Sequence, residues 1–352
     1  MNISDQETID EKVSNDALYT FIGALAFAVG FTTLIWLLGP NLNHFTDTLL
    51  PSQGAWWYPW KLPIRDSAAM VITWAFYLAN QFTVWGLIRW AQSNLTTQKI
   101  KPTGALTKYN LAALGVTVLF TFLHLIQTHL WFDALAQDTP ILTSQGSVII
   151  MLAIVLVIEN PRRGLIFGKR AGAPFTSQVS AWFRHNHMYV ISWALVYTFW
   201  FHPMATDPQL ITGFFYMFLL FTQMSLAYTW IHIDKRWVIF LESFVAIHGA
   251  IVAFYNTQFF GSADMWPMFL SGFAFMFFFT YMYALHAPRW IYGGMTVVYL
   301  VFLVWLYIPS PFGYGRNLTN LTRLEMLWIP LTLYGLSAVF SLIGYLNFRN
   351  KN

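Results

Sequence analysis

Long apolar runs separated by short polar segments fill most of the chain. Because about 20 consecutive apolar residues cross a bilayer once as a helix, we predict about ten transmembrane helices. Their approximate ranges are 17–38, 67–87, 111–131, 141–158, 188–202, 210–230, 237–255, 268–285, 290–308 and 327–346. The pattern predicts an all-α, polytopic integral membrane protein. Residues 17–348 would form a single transmembrane helical domain between two polar cytoplasmic tails, 1–16 and 349–352.

The distribution of positive charge predicts the orientation of these helices. Short loops rich in lysine and arginine stay on the cytoplasmic side. With the N-terminus inside, all but four of the 19 lysine and arginine residues fall on the cytoplasmic side. The four exceptions are Lys61, Arg65, Arg316 and Arg323. We therefore predict cytoplasmic N- and C-termini.

The N-terminal segment is acidic and lacks the basic region and cleavage site of a signal peptide, so we expect the first span to be retained. The short loops and the absence of cysteine favour a bacterial host. We expect a multi-pass plasma membrane protein of the bacterial inner membrane.

Composition excludes several classes of function. The chain is 57% hydrophobic and 10% charged, which is typical of a membrane protein. It has no cysteine, which removes disulfides, iron–sulfur clusters and thiolate nucleophiles. No basic cluster accompanies base-stacking aromatic residues, so we expect no nucleic-acid partner. There is no P-loop and no Rossmann glycine fingerprint, so we expect no nucleotide hydrolysis by this chain alone.

Four histidines are predicted to lie in the outer half of the membrane: His124, His129, His202 and His248. Helical spacing places His124 on one face with Gln127, Thr128 and Trp131. It places His129 with Asp133 on a neighbouring face. Two facing histidines could ligate haem iron, and three with a carboxylate could hold a non-haem metal ion. Hydrogen bonding between helices is the alternative, and it is the simpler role for a histidine inside a membrane.

Glu242 is the only carboxylate that the pattern places well inside a span. An unpaired carboxylate costs at least a few kcal/mol in a bilayer, so we expect Glu242 to be protonated, paired or in contact with water. Ala246 and Gly249 share its helix face, and their small size would admit a close neighbour. As a catalytic or transport residue, Glu242 could relay protons, act as a general base or bind an ion. Its structural role would be to join two helices.

A second candidate cluster lies at the predicted cytoplasmic ends of the spans: His185, His187, His232, Asp234, His286 and Glu159. Polar residues at helix ends need no special role, and we prefer that interpretation. The basic segment 159–187 is long for a turn. We interpret it first as a positive-inside anchor, and second as a site for anionic headgroups or a soluble partner.

Three functions remain open. The first is a membrane oxidoreductase with a histidine-bound haem or metal site that acts on a quinone, a lipid or another apolar molecule. The second is a transporter or channel in which Glu242 is the proton or ion site. The third is a non-catalytic subunit or scaffold that packs against other membrane proteins. The sequence identifies neither the cofactor nor the substrate, and we rank the first hypothesis highest.

Overall fold

The computed structural model describes residues 13–51, 57–95, 102–132, 134–260 and 264–349, without the side chains of residues 257–260. Helices are the regular secondary structure of these ranges, and no strand forms in them. Ten helices have 14 residues or more: α1 Asn15–Leu38, α2 Ser67–Asn94, α3 Lys108–Trp131, α4 Ile141–Arg163, α5 Ser177–Phe201, α6 Pro208–Ser225, α7 Lys235–Phe260, α8 Trp266–Phe279, α9 Arg289–Tyr307 and α10 Trp328–Arg349.

Eight helical segments of the described chain are long and apolar enough to cross a membrane. They are Asn15–Thr46, Ser67–Asn94, Lys108–Trp131, Ile141–Arg163, Lys235–Asn256, Trp266–Leu285, Arg289–Tyr307 and Glu325–Arg349. The all-α fold and the multi-pass character are therefore confirmed. Helices α5 and α6 form where two further spans were predicted, but they are not among the eight. The count of ten spans and the orientation of the termini stay predictions, and most of each predicted tail lies outside the described residues.

Side-chain caps define the start of several helices. Ser14, Asp66 and Asp207 each accept a hydrogen bond from a backbone N–H in the first turn that follows, at 3.2, 2.8 and 2.8 Å respectively. Such caps satisfy donors that have no partner within the helix. These caps explain why α1, α2 and α6 begin directly after these polar residues.

The helices group into two compact units. Unit 1 comprises Met1–Val148 and Met188–Val238, and unit 2 comprises Ile149–His187 and Ile239–Asn352. In unit 1, α6 packs against α1 and α3 and buries most of its side chains, among them Phe214 and Phe218. The single transmembrane helical domain of residues 17–348 stays a prediction.

In unit 2, α8 lies against α9 and α10. Small residues permit close helix contacts there, as expected for membrane bundles. A Cβ atom at Gly249 on α7 would lie 3.1 Å from the ring of Phe273 on α8, and one at Gly272 would lie 3.0 Å from Ile329. The predicted close neighbour of Gly249 is therefore an aromatic ring.

Helix α4 continues through Pro161 and ends at Arg163, five residues beyond the predicted end of the span at 158. Proline has no backbone N–H, so Pro161 leaves the carbonyl of Val157 without its helical partner. The buried hydroxyl of Ser180 on α5 donates to that carbonyl at 3.0 Å. This bond allows a proline inside the helix and brings Arg163 into the helical bundle.

Candidate functional site

His124 is a fully buried residue of unit 1 that joins α3 to the end of α5. Its Nδ1 lies 3.1 Å from Oε1 of Gln127, and its Nε2 lies 2.9 Å from the backbone oxygen of His202. The neighbouring Thr128 accepts a hydrogen bond from the backbone N–H of Met204 at 3.1 Å. His124, Gln127 and Thr128 do share one buried face, as the helical spacing predicted.

This geometry assigns His124 to helix packing. Both of its ring nitrogens are engaged by oxygen atoms of the protein, so neither is available to a metal ion. His202 meets His124 through its backbone, while its own ring packs against Tyr58 and Trp60. Within the described residues, no group of three or more histidines and carboxylates is arranged to hold a metal ion.

His129 differs from His124 in its hydrogen bonding. Its Nδ1 donates to the carbonyl of Leu125 at 2.9 Å, which leaves Nε2 as the ring acceptor. That atom is buried and has no hydrogen-bond partner among the residues that the structure describes. Asp133, which the spacing paired with His129, lies outside the described residues. His248 is half-buried on α7 and belongs to unit 2, whereas His124, His129 and His202 belong to unit 1.

Several residues of the predicted cytoplasmic cluster have structural roles. His232 binds the backbone oxygen of Gln223 through Nδ1 at 2.8 Å, and Asp234 caps the start of α7. His187 contacts the carbonyl of Arg184 in its own helix, and His185 is exposed. Glu159 and His286 both belong to unit 2, where they accompany a cluster of arginines.

Glu242 forms a buried ion pair with Arg163. The guanidinium group donates from Nη2 to Oε1 at 2.7 Å and from Nη1 to Oε2, which makes the contact bidentate. The side chains are only 1% and 8% exposed, so water contributes little to their solvation. Of the three states that the sequence left open for Glu242, the structure shows the paired one. On α4, Glu159 accepts a hydrogen bond from Nη1 of Arg162 at 3.1 Å, in a contact that is more exposed.

The segment that follows Arg163 folds back as a tight loop. Asn160 holds its far end through two bonds to the backbone of Ala171, at 2.9 and 3.2 Å. The backbone N–H of Phe167 donates to the carbonyl of Phe279 at 2.8 Å, and the hydroxyl of Thr280 donates to the carbonyl of Leu165 at 2.9 Å. The loop is therefore fixed against the ends of α4 and α8.

This loop and the start of α9 enclose a cavity of about 650 Å³ in unit 2. Its basic lining residues are Arg162, Arg163, Arg170, Arg289 and His286. Arg162 forms an ion pair with Glu159, and Arg163 forms one with Glu242. Arg170 and Arg289 form no ion pair with any residue that the structure describes. The cavity consequently has an excess of positive charge.

Tyrosine rings form one wall of the cavity. Tyr283 and Tyr292 stack with their ring centroids 4.3 Å apart and their planes at 15°. Gly168 lies against this wall in a left-handed conformation, with φ of +70°, and a Cβ atom there would lie 2.8 Å from the Tyr283 ring. Only glycine suits that position without strain, because it has no Cβ.

Two further donors complete the surroundings of the cavity. The Nε atom of Arg163 is buried and has no hydrogen-bond partner in the part of the chain that the structure describes, although both terminal nitrogens are bound to Glu242. Helix α9 begins at the cavity with Arg289, and its N-cap, Pro288, provides no side-chain hydrogen bond. A helix N-terminus and guanidinium groups both favour anions. The arrangement is chemically suited to a phosphate or a similar oxyanion.

A second charged group of unit 2 lies beyond the opposite end of α9. Arg316 pairs with Glu325 at 2.8 Å and with Asp264 at 3.2 Å, and Tyr307 donates to Glu325 at 2.9 Å. The hydrogen bond with Glu325 raises the pKa of Arg316 above its usual value. Because Arg316 joins the two carboxylates through direct contacts, we interpret the group as structural.

Sequence reasoning missed the role of Arg163, because Arg163 was counted among the positive-inside loop residues. The signal that could have found it was Glu242, whose place inside a span calls for a cation from another helix. Comparisons with protein families, curated proteins and solved structures find no match to this chain. The proposals that follow depend on the geometry described above.

Proposed function

We propose that this multi-pass membrane protein binds a phosphate-bearing anion in the arginine-lined cavity of unit 2. One observation supports the proposal above all. Arg170 and Arg289, which pair with no carboxylate among the described residues, line the same cavity as Arg163. A guanidinium group matches the planar spacing of two phosphate oxygens and binds them bidentately.

Glu242 has a positioning role in this proposal. It holds both terminal nitrogens of Arg163, and so fixes the direction of the remaining Nε donor. This replaces the hypothesis that Glu242 is itself the proton or ion site of a transporter. The cavity would instead hold the anion, either for transfer across the bilayer or for chemistry at its surface.

A calorimetric titration of the detergent-purified protein with inorganic phosphate at low ionic strength tests this proposal. The double variant Arg170→Gln/Arg289→Gln removes both unmatched charges. We expect it to bind at least about a hundredfold more weakly than the wild type, since each charge-assisted bond contributes about 1.5–3 kcal/mol. The matched control is Lys169→Gln/Arg184→Gln, which removes two positive charges from exposed residues of unit 2 that do not line the cavity.

The control separates specific binding from general electrostatic attraction. If both double variants lose the same affinity, the positive surface attracts phosphate without a defined site, and the proposal is wrong. If the wild type binds no phosphate at low ionic strength, the proposal is also wrong. A loss confined to the cavity variant supports it.

We place the cavity at the cytoplasmic surface of a bacterial inner membrane, with both termini cytoplasmic. The support is the asymmetry of lysine and arginine along the sequence. The chain has no cysteine, so single-cysteine variants at Arg170 and at Arg323 can be labelled without background. An impermeant maleimide applied outside intact cells should label position 323 and leave position 170 unlabelled. The reverse pattern would contradict the orientation.

His129 supports a second candidate function, the redox role. Its Nδ1 donates to a backbone carbonyl, and its buried Nε2 has no partner within the described part of the chain. Histidines that ligate metals commonly donate their other ring nitrogen in this way. In this role His129 would hold a haem or metal ion, and the substrate would be a quinone or another apolar molecule. A visible spectrum and metal analysis of the wild type and His129→Ala, with His44→Ala as the exposed control, tests the role. Wild-type protein without visible absorption and without stoichiometric metal would refute it.

A further inference from the structure

The cavity lies at the end of a helix whose outer face is bare and apolar. Along α9, the side chains of Val297, Val298, Val301 and Val304 are all more than half exposed. Helix α9 is also one of the eight segments that are apolar enough to cross a membrane. An exposed apolar helix face is suited to contact with acyl chains. The cavity lies at the first turn of α9, so it would lie at the depth of the lipid headgroups.

Aromatic residues mark the same depth. Trp290 follows the cavity residue Arg289 directly and is 76% exposed. Tryptophan prefers the layer between headgroups and hydrocarbon, which makes Trp290 an interfacial anchor. Phe167 lines the cavity and is 51% exposed, although its backbone is fixed to α8. The rim of this basic cavity is therefore partly apolar. A soluble anion would gain nothing from an apolar contact at the rim.

The charges of the cavity suggest the kind of headgroup. Two guanidinium groups, those of Arg170 and Arg289, have no carboxylate partner in the described ranges, and the Nε atom of Arg163 is a further donor. A phosphomonoester carries about −1.5 to −2 charges at pH 7 and presents three acceptor oxygens. A phosphodiester carries a single negative charge. The phosphomonoester matches both the charge and the number of donors better.

We infer that the ligand of the cavity is a lipid with a phosphomonoester headgroup. This inference rests on the proposed function and names its substrate class. The phosphate would lie among Arg163, Arg170 and Arg289, and the chain of the lipid would leave past Phe167 along the apolar face of α9. Free phosphate shares the headgroup chemistry but not the contact with Phe167.

The experiment measures binding of three probes to the detergent-purified full chain by native mass spectrometry and calorimetry. They are phosphatidic acid, which is a phosphomonoester, phosphatidylglycerol, which is a diester, and inorganic phosphate. We expect phosphatidic acid to bind at least about tenfold more tightly than either of the others. Phe167→Ser should weaken the binding of phosphatidic acid several-fold and leave that of inorganic phosphate unchanged. Phe312→Ser, at a position that is 84% exposed and does not line the cavity, is the control.

The outcomes separate this inference from the function on which it rests. If inorganic phosphate binds as tightly as phosphatidic acid and Arg170→Gln/Arg289→Gln weakens both, the lipid inference is overturned while anion binding stands. If phosphatidylglycerol binds as tightly as phosphatidic acid, the phosphomonoester assignment is overturned. If none of the three probes binds, both the inference and the proposed function are wrong.

Discussion

Arg163 and Glu242 form a bidentate ion pair inside unit 2, although the sequence alone places one in a loop and the other in a span. Removing one partner of a buried pair leaves an uncompensated charge, which costs about 3–5 kcal/mol. Glu242→Gln should therefore destabilise the protein by about that amount. Denaturant unfolding in mixed micelles measures the change.

The matched variant replaces both partners at once. Arg163→Met/Glu242→Leu removes both charges of the pair together, and we expect it to be more stable than Glu242→Gln. It should also bind phosphate more weakly than the wild type, because Arg163 contributes a donor to the cavity. A Glu242→Gln protein within about 0.5 kcal/mol of the wild type would show that the pair is not buried as described.

Ser180 compensates for Pro161, and this relationship predicts an epistatic pair of variants. Ser180→Ala leaves the buried carbonyl of Val157 without a donor, which should cost about 1–3 kcal/mol. Pro161→Ala restores a backbone N–H at the position that bonds this carbonyl in a regular helix. Ser180→Ala should then cost clearly less in the Pro161→Ala background. Equal costs in the two backgrounds, measured by unfolding in micelles, would exclude this coupling.

Gly168 is predicted to maintain the wall of the cavity. Alanine there would adopt a left-handed conformation at a cost of roughly 1–2 kcal/mol and would also meet Tyr283. We expect Gly168→Ala to lower both stability and phosphate affinity. Gly172→Ala is the control, because a Cβ atom at Gly172 has no neighbour within 4 Å and its φ is not left-handed. Similar behaviour of the two variants in calorimetry would contradict the described loop.

His124 is predicted to stabilise unit 1. His124→Ala removes the hydrogen bonds of the His124 ring with Oε1 of Gln127 and with the His202 carbonyl, although Gln127 keeps its bond to the hydroxyl of Thr73. A buried polar atom that loses its partner costs about 1–3 kcal/mol. His44→Ala, at an exposed position, should have little effect. Thermal unfolding in detergent compares the two. If the His124→Ala protein is as stable as the His44→Ala protein, the structural role of His124 is wrong, and His124 becomes a candidate ligand again.

The sequence predicted the features that depend on periodicity and on the cost of burying polar groups. These include the helical fold, the shared face of His124, Gln127 and Thr128, and the expectation that Glu242 is protonated, paired or in contact with water. It did not predict that partner, because the pattern ends the span before Pro161, whereas a hydroxyl from another helix allows α4 to continue. The sequence also did not predict the cavity. The cavity depends on the left-handed conformation of Gly168 and on the hydrogen bonds between Asn160 and the backbone of Ala171, which form only in the folded protein.

The location of a bound oxyanion tests the central claim most directly. Tungstate is a phosphate analogue whose anomalous scattering identifies its position in crystals of the full chain. We predict a peak in the cavity of unit 2, at a hydrogen-bond distance of about 3 Å from nitrogen atoms of Arg163, Arg170 and Arg289. A cavity without a peak, at a tungstate concentration that saturates binding in calorimetry, would contradict the account.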